Sequence, residues 1–168
     1  KVAEDITPDY PELRTLIESM FDTMHQAEGI GLAAPQVGLA IRLVVVDLDV
    51  LSDDYPEFKD FRRVYINAHV LETSDETESM EEGCLSLPGI HEKVTRASRI
   101  HVRYLDENFV EHDEWVEGYL ARVMQHEFDH LEGKRALAAK LSQNLTPSLK
   151  QQLRNLLLEV LILFGIFI

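Results

Sequence analysis

The chain has 168 residues, 45% of them hydrophobic and 27% charged, a composition suited to one soluble globular domain that buries about two-thirds of its unfolded surface. Its formal charge of −14, from 16 basic and 30 acidic side chains, argues against nucleic acid as the main ligand, because a phosphate backbone would be repelled. A single cysteine, Cys84, excludes an internal disulfide and with it a disulfide-stapled secreted scaffold.

The first residues, Lys1-Val2-Ala3-Glu4-Asp5, lack the apolar run of a signal peptide. Asp9 reads as an N-cap, with Pro11 in the first turn. Leu13, Leu16, Ile17, Met20, Phe21 and Met24 then recur at helical spacing, predicting an amphipathic helix that ends before Gly29. Residues 29–38 are too rich in small residues and breakers for a regular element. Ile41 to Leu48 is a Val-rich buried strand, 49–62 an acidic loop, Val64 to Leu71 an alternating strand, and Glu72 to Glu82 an acidic solvated turn.

From Arg99 to Tyr104 the alternation is strict, Asp106-Glu107-Asn108 supplies a turn, and Phe109 to Val116 returns, which predicts a hairpin. Gly118 to Leu131 is a second helix, stopped by Gly133. A third helix begins near Thr146-Pro147 and runs into an apolar tail, Leu156 to Ile168. With Glu159 inside it, that tail falls short of the roughly 18–20 apolar residues of a membrane span. No repeat and no linker is visible, so residues 1–168 read as one domain. The element order predicts an α+β fold of mixed, mostly antiparallel sheets, with an N-terminal and a C-terminal helix around the central helix 118–131.

Charge is unevenly placed. Residues 47–82 carry 12 acidic and 3 basic side chains, whereas 133–158 carry Lys134, Arg135, Lys140, Lys150 and Arg154 and no acid.

The most informative stretch is Gln125-His126-Glu127-Phe128-Asp129-His130. Histidines at i and i+4 on a helix share a face, so both imidazoles can reach one ion, and Glu127 is placed to reach water on that ion without ligating it. A divalent ion lowers the pKa of bound water to about 7, and a nearby carboxylate can take the proton and later deliver it to a leaving amine. Two incidental histidines on one helix remain the bland alternative in a chain with 7 histidines. An open catalytic site usually takes three protein ligands. The extended His-Glu-x-x-His-x-x-Gly-x-x-His pattern matches through Gly133 but ends on Ala136, and Glu132 and Glu159 are poorly placed as ligands. That leaves Cys84, in Glu81-Glu82-Gly83-Cys84-Leu85-Ser86, as a thiolate ligand, against the alternative of a buried small hydrophobe. His69, His91, His101 and His112 read as surface or core residues.

Three segments together resemble the signature motifs of the peptide deformylase family: Gly29-Ile30-Gly31-Leu32-Ala33-Ala34-Pro35-Gln36, Glu82-Gly83-Cys84-Leu85-Ser86 and Gln125-His126-Glu127-Phe128-Asp129-His130. Their order and spacing also match, from about residue 2 to about residue 133. The resemblance implies that Cys84, His126 and His130 hold one divalent metal, Fe2+ foremost, with Zn2+ or Ni2+ as alternatives. The implied reaction is removal of the N-formyl group from formyl-methionine on nascent bacterial polypeptides, in the cytoplasm, with Glu127 as general base and then acid. The Gln36 side-chain amide and the Leu85 backbone N–H would stabilise the oxyanion. Gly29, Ile30, Gly31, Gly83 and Val123 would bind the substrate. Glu82 and Asp129 read as orienting residues, and Arg96 and Arg99 as solvated strand charges.

The family carries about a dozen residues ahead of the counterpart of Lys1, and the sequence diverges from it over 134–168, so either truncation or incomplete ordering is expected at the start. Two other readings stay open: another His-Glu-x-x-His metallopeptidase, and an inert module that a metal staples. The basic segment 133–158 is the candidate face for transient ribosome docking. No DNA partner is expected.

Overall fold

A computed structural model describes residues 1–134. The first helix, α1 (Leu13–Gln26), buries Leu13, Ile17, Met20, Phe21 and Met24 along one side, which is the predicted stripe. It starts later than Asp9. Glu12 precedes it in the left-handed region, at φ 52°, with no side-chain cap. A helix cannot run back through such a residue, and the Asp9 carboxylate accepts the Thr7 hydroxyl instead of a helical N–H.

Strands β1 (Gly31–Ala33), β2 (Leu43–Asp47), β3 (Arg62–Thr73), β4 (Thr77–Cys84), β5 (Leu87–Ala97), β6 (Arg99–Leu105) and β7 (Glu111–Glu117) follow, and α2 (Gly118–Leu131) closes the described chain. Five strands form one antiparallel sheet in the order β1-β2-β3-β6-β7, while β4 and β5 form a separate hairpin.

The sheet is a layer between the two helices, and β2 shows why. Leu43, Val44, Val45 and Val46 are all fully buried. Alternation sends Leu43 and Val45 into a core shared with Phe21 and Met24 of α1. Val44 and Val46 enter a second core, shared with Met124 and Phe128 of α2. A strand covered on both faces reads as a continuous apolar run, which is what the sequence shows.

Residues ahead of α1 are tied to the sheet at a bulge. Asn67 sits at φ 52° where the β3–β6 register shifts. Its side-chain amide donates to Ile6 O and accepts from Ile6 N–H, both at 2.8 Å.

Several expectations need correction. Residues 29–38 contain β1 and a 3-10 turn, Ala34–Val37. The acidic loop holds two short 3-10 turns, Asp49–Leu51 and Pro56–Phe58, and β3 begins two residues earlier than expected. The expected turn over 72–82 is mostly strand β4, paired with β5 from Thr77↔Ala97 to Gly83↔His91. Polar residues on both of its faces erase the alternation that would reveal a strand. The β6–β7 hairpin and α2 fall where the sequence put them, with Gly133 at φ 66° ending the helix and Lys134 N–H closing on Asp129 O at 2.8 Å. The third helix, the apolar tail and the basic segment past Lys134 lie outside the described residues.

Candidate metal centre

Three elements converge on one site. The second half of α2 supplies His126, Glu127 and His130. The β4–β5 hairpin places Cys84 at its tip, just before the Leu85-Ser86 turn. The 3-10 turn after β1 supplies Gln36.

One donor atom each from Cys84, His126 and His130 lies within 4.8 Å of the others. The Cys84 Sγ is 3.4 Å from His130 Nε2, and the two imidazole rings stand 5.2 Å apart, inclined at 66°. His126 Nδ1 lies 2.9 Å from Glu82 Oε2. Burial disfavours the Glu82 carboxylate, but hydrogen bonds from His126 and Arg96 outweigh it and hold the group at about 2. An ionised carboxylate only accepts, so Nδ1 of His126 carries a proton there, which leaves Nε2 as the ring nitrogen a metal would take. Burial likewise opposes the Cys84 thiolate, yet hydrogen bonds from His126 and His130 bring it down to about 5. A thiolate and two imidazoles suit a borderline-soft divalent ion and leave a further position open.

Glu127 is in a different environment. It is 5% exposed, and its Oε2 has no hydrogen-bond partner among the described residues. Burial pushes its carboxyl up to about 7. An orphaned, buried carboxylate oxygen beside three converging donors fits a site built for an ion and the water on it.

The glycines of the first motif have a packing reason. A Cβ on Gly31 would lie 2.6 Å from Glu127 Oε1, and one on Gly29 would lie 2.6 Å from Leu85 Cδ1. Gly83 faces His91 across the hairpin, where a Cβ would meet Nε2 at 3.0 Å. Gln36 is held by Ala33 N–H donating to its Oε1 at 2.9 Å, which turns its amide NH2 toward Ser86 Oγ at 3.1 Å and Cys84 Sγ at 3.9 Å. Ile30, half-buried, and Val123 pack into the α2-side core beside the site.

Arg96 is not a solvated charge. It is 9% exposed and forks onto Glu82 at 2.6 and 2.9 Å, with its third nitrogen 2.9 Å from Asp129. Arg122, which sequence reasoning passed over, is equally buried and also reaches Glu82. The available signal was its place one turn before His126 on the same helix face. Arg99 is exposed, over the Trp115 ring and 3.8 Å from Glu117. His69, His101 and His112 stand apart from the site beside Asp5, Asp113 and Asp106.

Against known proteins, the polypeptide deformylase family model matches residues 1–144. A peptide deformylase of Flavobacterium johnsoniae is 42% identical over 163 residues, covering 87% of this chain and 83% of its own. One of Flavobacterium psychrophilum is 43% identical over 164 residues, covering 94% and 84%. The crystal structure of the Thermotoga maritima peptide deformylase superposes with a TM-score of 0.70 at 42% identity, over 80% of this chain and 84% of that one. The Legionella pneumophila structure gives 0.73 at 34% identity, over 100% and 92%. With its three motifs brought to one site and these relatives matched along most of its length, the chain belongs to the polypeptide deformylase family.

Proposed function

We propose that the chain removes the N-formyl group from the formyl-methionine of nascent polypeptides at the site built by Cys84, His126, His130 and Glu127. The observation that supports it most is the meeting of three ligand atoms within 4.8 Å beside the unpartnered, buried Oε2 of Glu127. Cys84, His126 and His130 would hold one divalent cation. The donor set suits iron, zinc and nickel alike, and we assign ferrous iron on the family resemblance. Bound there, the cation supplies Lewis acidity, lowering the pKa of water toward 7 and polarising the formyl carbonyl.

The chain's own residues do the rest. Hydrolysis consumes one water, breaks the formyl C–N bond and releases formate and a free amine. Glu127 takes the water's proton on a carboxylate held near neutrality by burial and delivers it to the departing nitrogen. The Gln36 amide, oriented by Ala33 N–H, and the Leu85 backbone N–H donate to the developing oxyanion. Gly29, Ile30 and Gly31 offer backbone for an extended peptide to pair against. Ile30 and Val123 receive the methionine side chain, with Gly83 leaving room beside the hairpin. A nascent chain as substrate places the enzyme in the bacterial cytoplasm. Ribosome docking through the basic segment 133–158 rests on sequence charge alone, and that segment lies almost wholly outside the described residues. The whole of 1–168 is proposed as one catalytic domain.

The test is an anaerobic metal analysis coupled to hydrolysis of formyl-Met, acetyl-Met and unblocked peptides. Strong preference for the formyl peptide is expected, with Glu127→Ala retaining metal and losing activity by orders of magnitude. Equal cleavage of all three peptides would point to a general peptidase. Full activity in the Glu127→Ala protein would remove Glu127 from the chemistry.

A further inference from the structure

The cysteine ligand sits in an exposed mechanical position. Among the described residues, the β4–β5 hairpin pairs as a sheet only within itself. Its base closes on itself through Ser98 N–H on Glu76 O at 2.9 Å, and it meets the body there through Ser74 N–H on Arg99 O at 3.0 Å, Gly118 N–H on Ser98 O at 3.3 Å and the Gln125 side-chain amide of α2 on Ala97 O at 3.0 Å. From Thr77 to Cys84 the strand extends about 23 Å at the usual rise per residue. Anything that fixes the Cys84 thiol against two imidazoles on α2 must therefore grip the hairpin from the side.

Arg122 does so. It lies on α2 one turn before His126 and is 6% exposed. Its Nη2 donates to Glu78 O of β4 at 2.7 Å, and its Nη1 donates to Val94 O of β5 at 3.1 Å and to Glu82 Oε1 at 2.7 Å. Among the described residues it is the side chain that holds both strands of the hairpin together with Glu82, the acceptor of His126 Nδ1. Arg96 forms the reciprocal brace, from β5 to Asp129 of α2. A planar guanidinium with five fixed donors can satisfy two carbonyls and a carboxylate at once, whereas an ammonium is a single point charge on a flexible stem. Burying that charge is costly unless it is fully paired, and here all three partners belong to the hairpin.

We propose that Arg122 is a positioning residue that fixes the Cys84 hairpin tip against His126 and His130, an inference that rests on those three residues being the metal ligands. The experiment compares wild type with Arg122→Met, which keeps the side-chain bulk, and Arg122→Lys, which keeps the charge but not the fork. Hydrogen exchange of the metal-free proteins is followed by mass spectrometry, and Co2+ affinity is read from the thiolate charge-transfer band. Expected are at least tenfold faster exchange confined to peptides covering 77–97, and at least tenfold weaker Co2+ binding, in Arg122→Met. Arg122→Lys should recover part of both. Hairpin exchange or Co2+ affinity within twofold of wild type in a folded Arg122→Met overturns the proposal. Should that variant not fold, wild-type behaviour of Arg122→Lys in both measurements overturns it instead. Cys84→Ser runs alongside: unchanged Co2+ binding there refutes the ligand reading itself, independently of the exchange result for Arg122.

Discussion

Gly31→Ala is a one-carbon perturbation aimed at the proposed proton carrier. A Cβ at this position would stand 2.6 Å from Glu127 Oε1 and 2.9 Å from its Cγ and Cδ. Ordinary carbon contacts begin near ~3.5 Å, so the Glu127 side chain or β1 must retreat by roughly 0.6 Å or more. Neither has free space. Gly31 is buried within β1, paired with Val46 of a fully buried strand, and Glu127 is buried on α2 between His126 and Phe128. Forcing an extra methyl into such packing costs about 1–3 kcal/mol, which leaves the protein folded. The larger effect falls on rate, because a displacement approaching 1 Å in a reacting group can cost about 10²-fold. Expected, then, is a drop in kcat/KM of about two orders of magnitude on a formyl-Met peptide, with metal content unchanged. Gly38→Ala is the control: at φ 87° it is strained, but nothing lies within 4 Å of the added carbon, so stability falls while kcat/KM holds. Activity of Gly31→Ala within threefold of wild type would refute the claim that this glycine exists to seat Glu127.

Two further outcomes can be checked by denaturant unfolding. Asn67→Ala removes both bonds to Ile6 and leaves a residue that disfavours the left-handed region at φ 52°, so a loss of about 2–3 kcal/mol is expected. Asn67→Gly, which relieves the backbone but not the lost bonds, should fall no further than the alanine variant. Alkaline conditions probe the α2-side core, where burial raises the hydroxyls of Tyr65 and Tyr104 above the usual tyrosine range, with the Tyr104 bond to Glu114 adding to the second. The folded state then keeps protons that the unfolded chain releases, so stability declines as pH rises above about 10. Tyr104→Phe should flatten that decline, and an unchanged slope between pH 9 and 11 would contradict it.

What was legible in the sequence follows the physical signals it carries. α1 and α2 bury one stripe each, and a 3.6-residue period reports that directly. The β6–β7 hairpin alternates because one face meets the core. Strand β4 was hidden because it pairs with β5 alone among the described residues and most of its side chains meet water, so no periodicity marks it. The ligand candidates were legible since thiol and imidazole have few other reasons to occur in those motifs. Arg96 and Arg122 were not, because a buried arginine and a solvated one are the same letter, and only tertiary packing brings Glu82, Asp129 and the hairpin carbonyls to them.

The pair of glutamates beside His126 shows how that packing divides labour. Glu82 and Glu127 have the same chemistry in solution, near the ordinary carboxylate range. Glu82 receives hydrogen bonds from Arg96, Arg122 and His126, on both oxygens, and is held down at about 2. A group so firmly ionised cannot trade a proton at neutral pH; it can only orient the imidazole and anchor the hairpin. Glu127, adjacent to His126 in the chain, meets no such donors among the described residues, keeps one oxygen without a partner there, and is pushed up to about 7. A carboxyl poised there can accept and return a proton. On the proposed mechanism, the two buried arginines thus serve the chemistry by where they stop: both bind the carboxylate that stays charged, and neither hydrogen-bonds the one that takes and returns a proton.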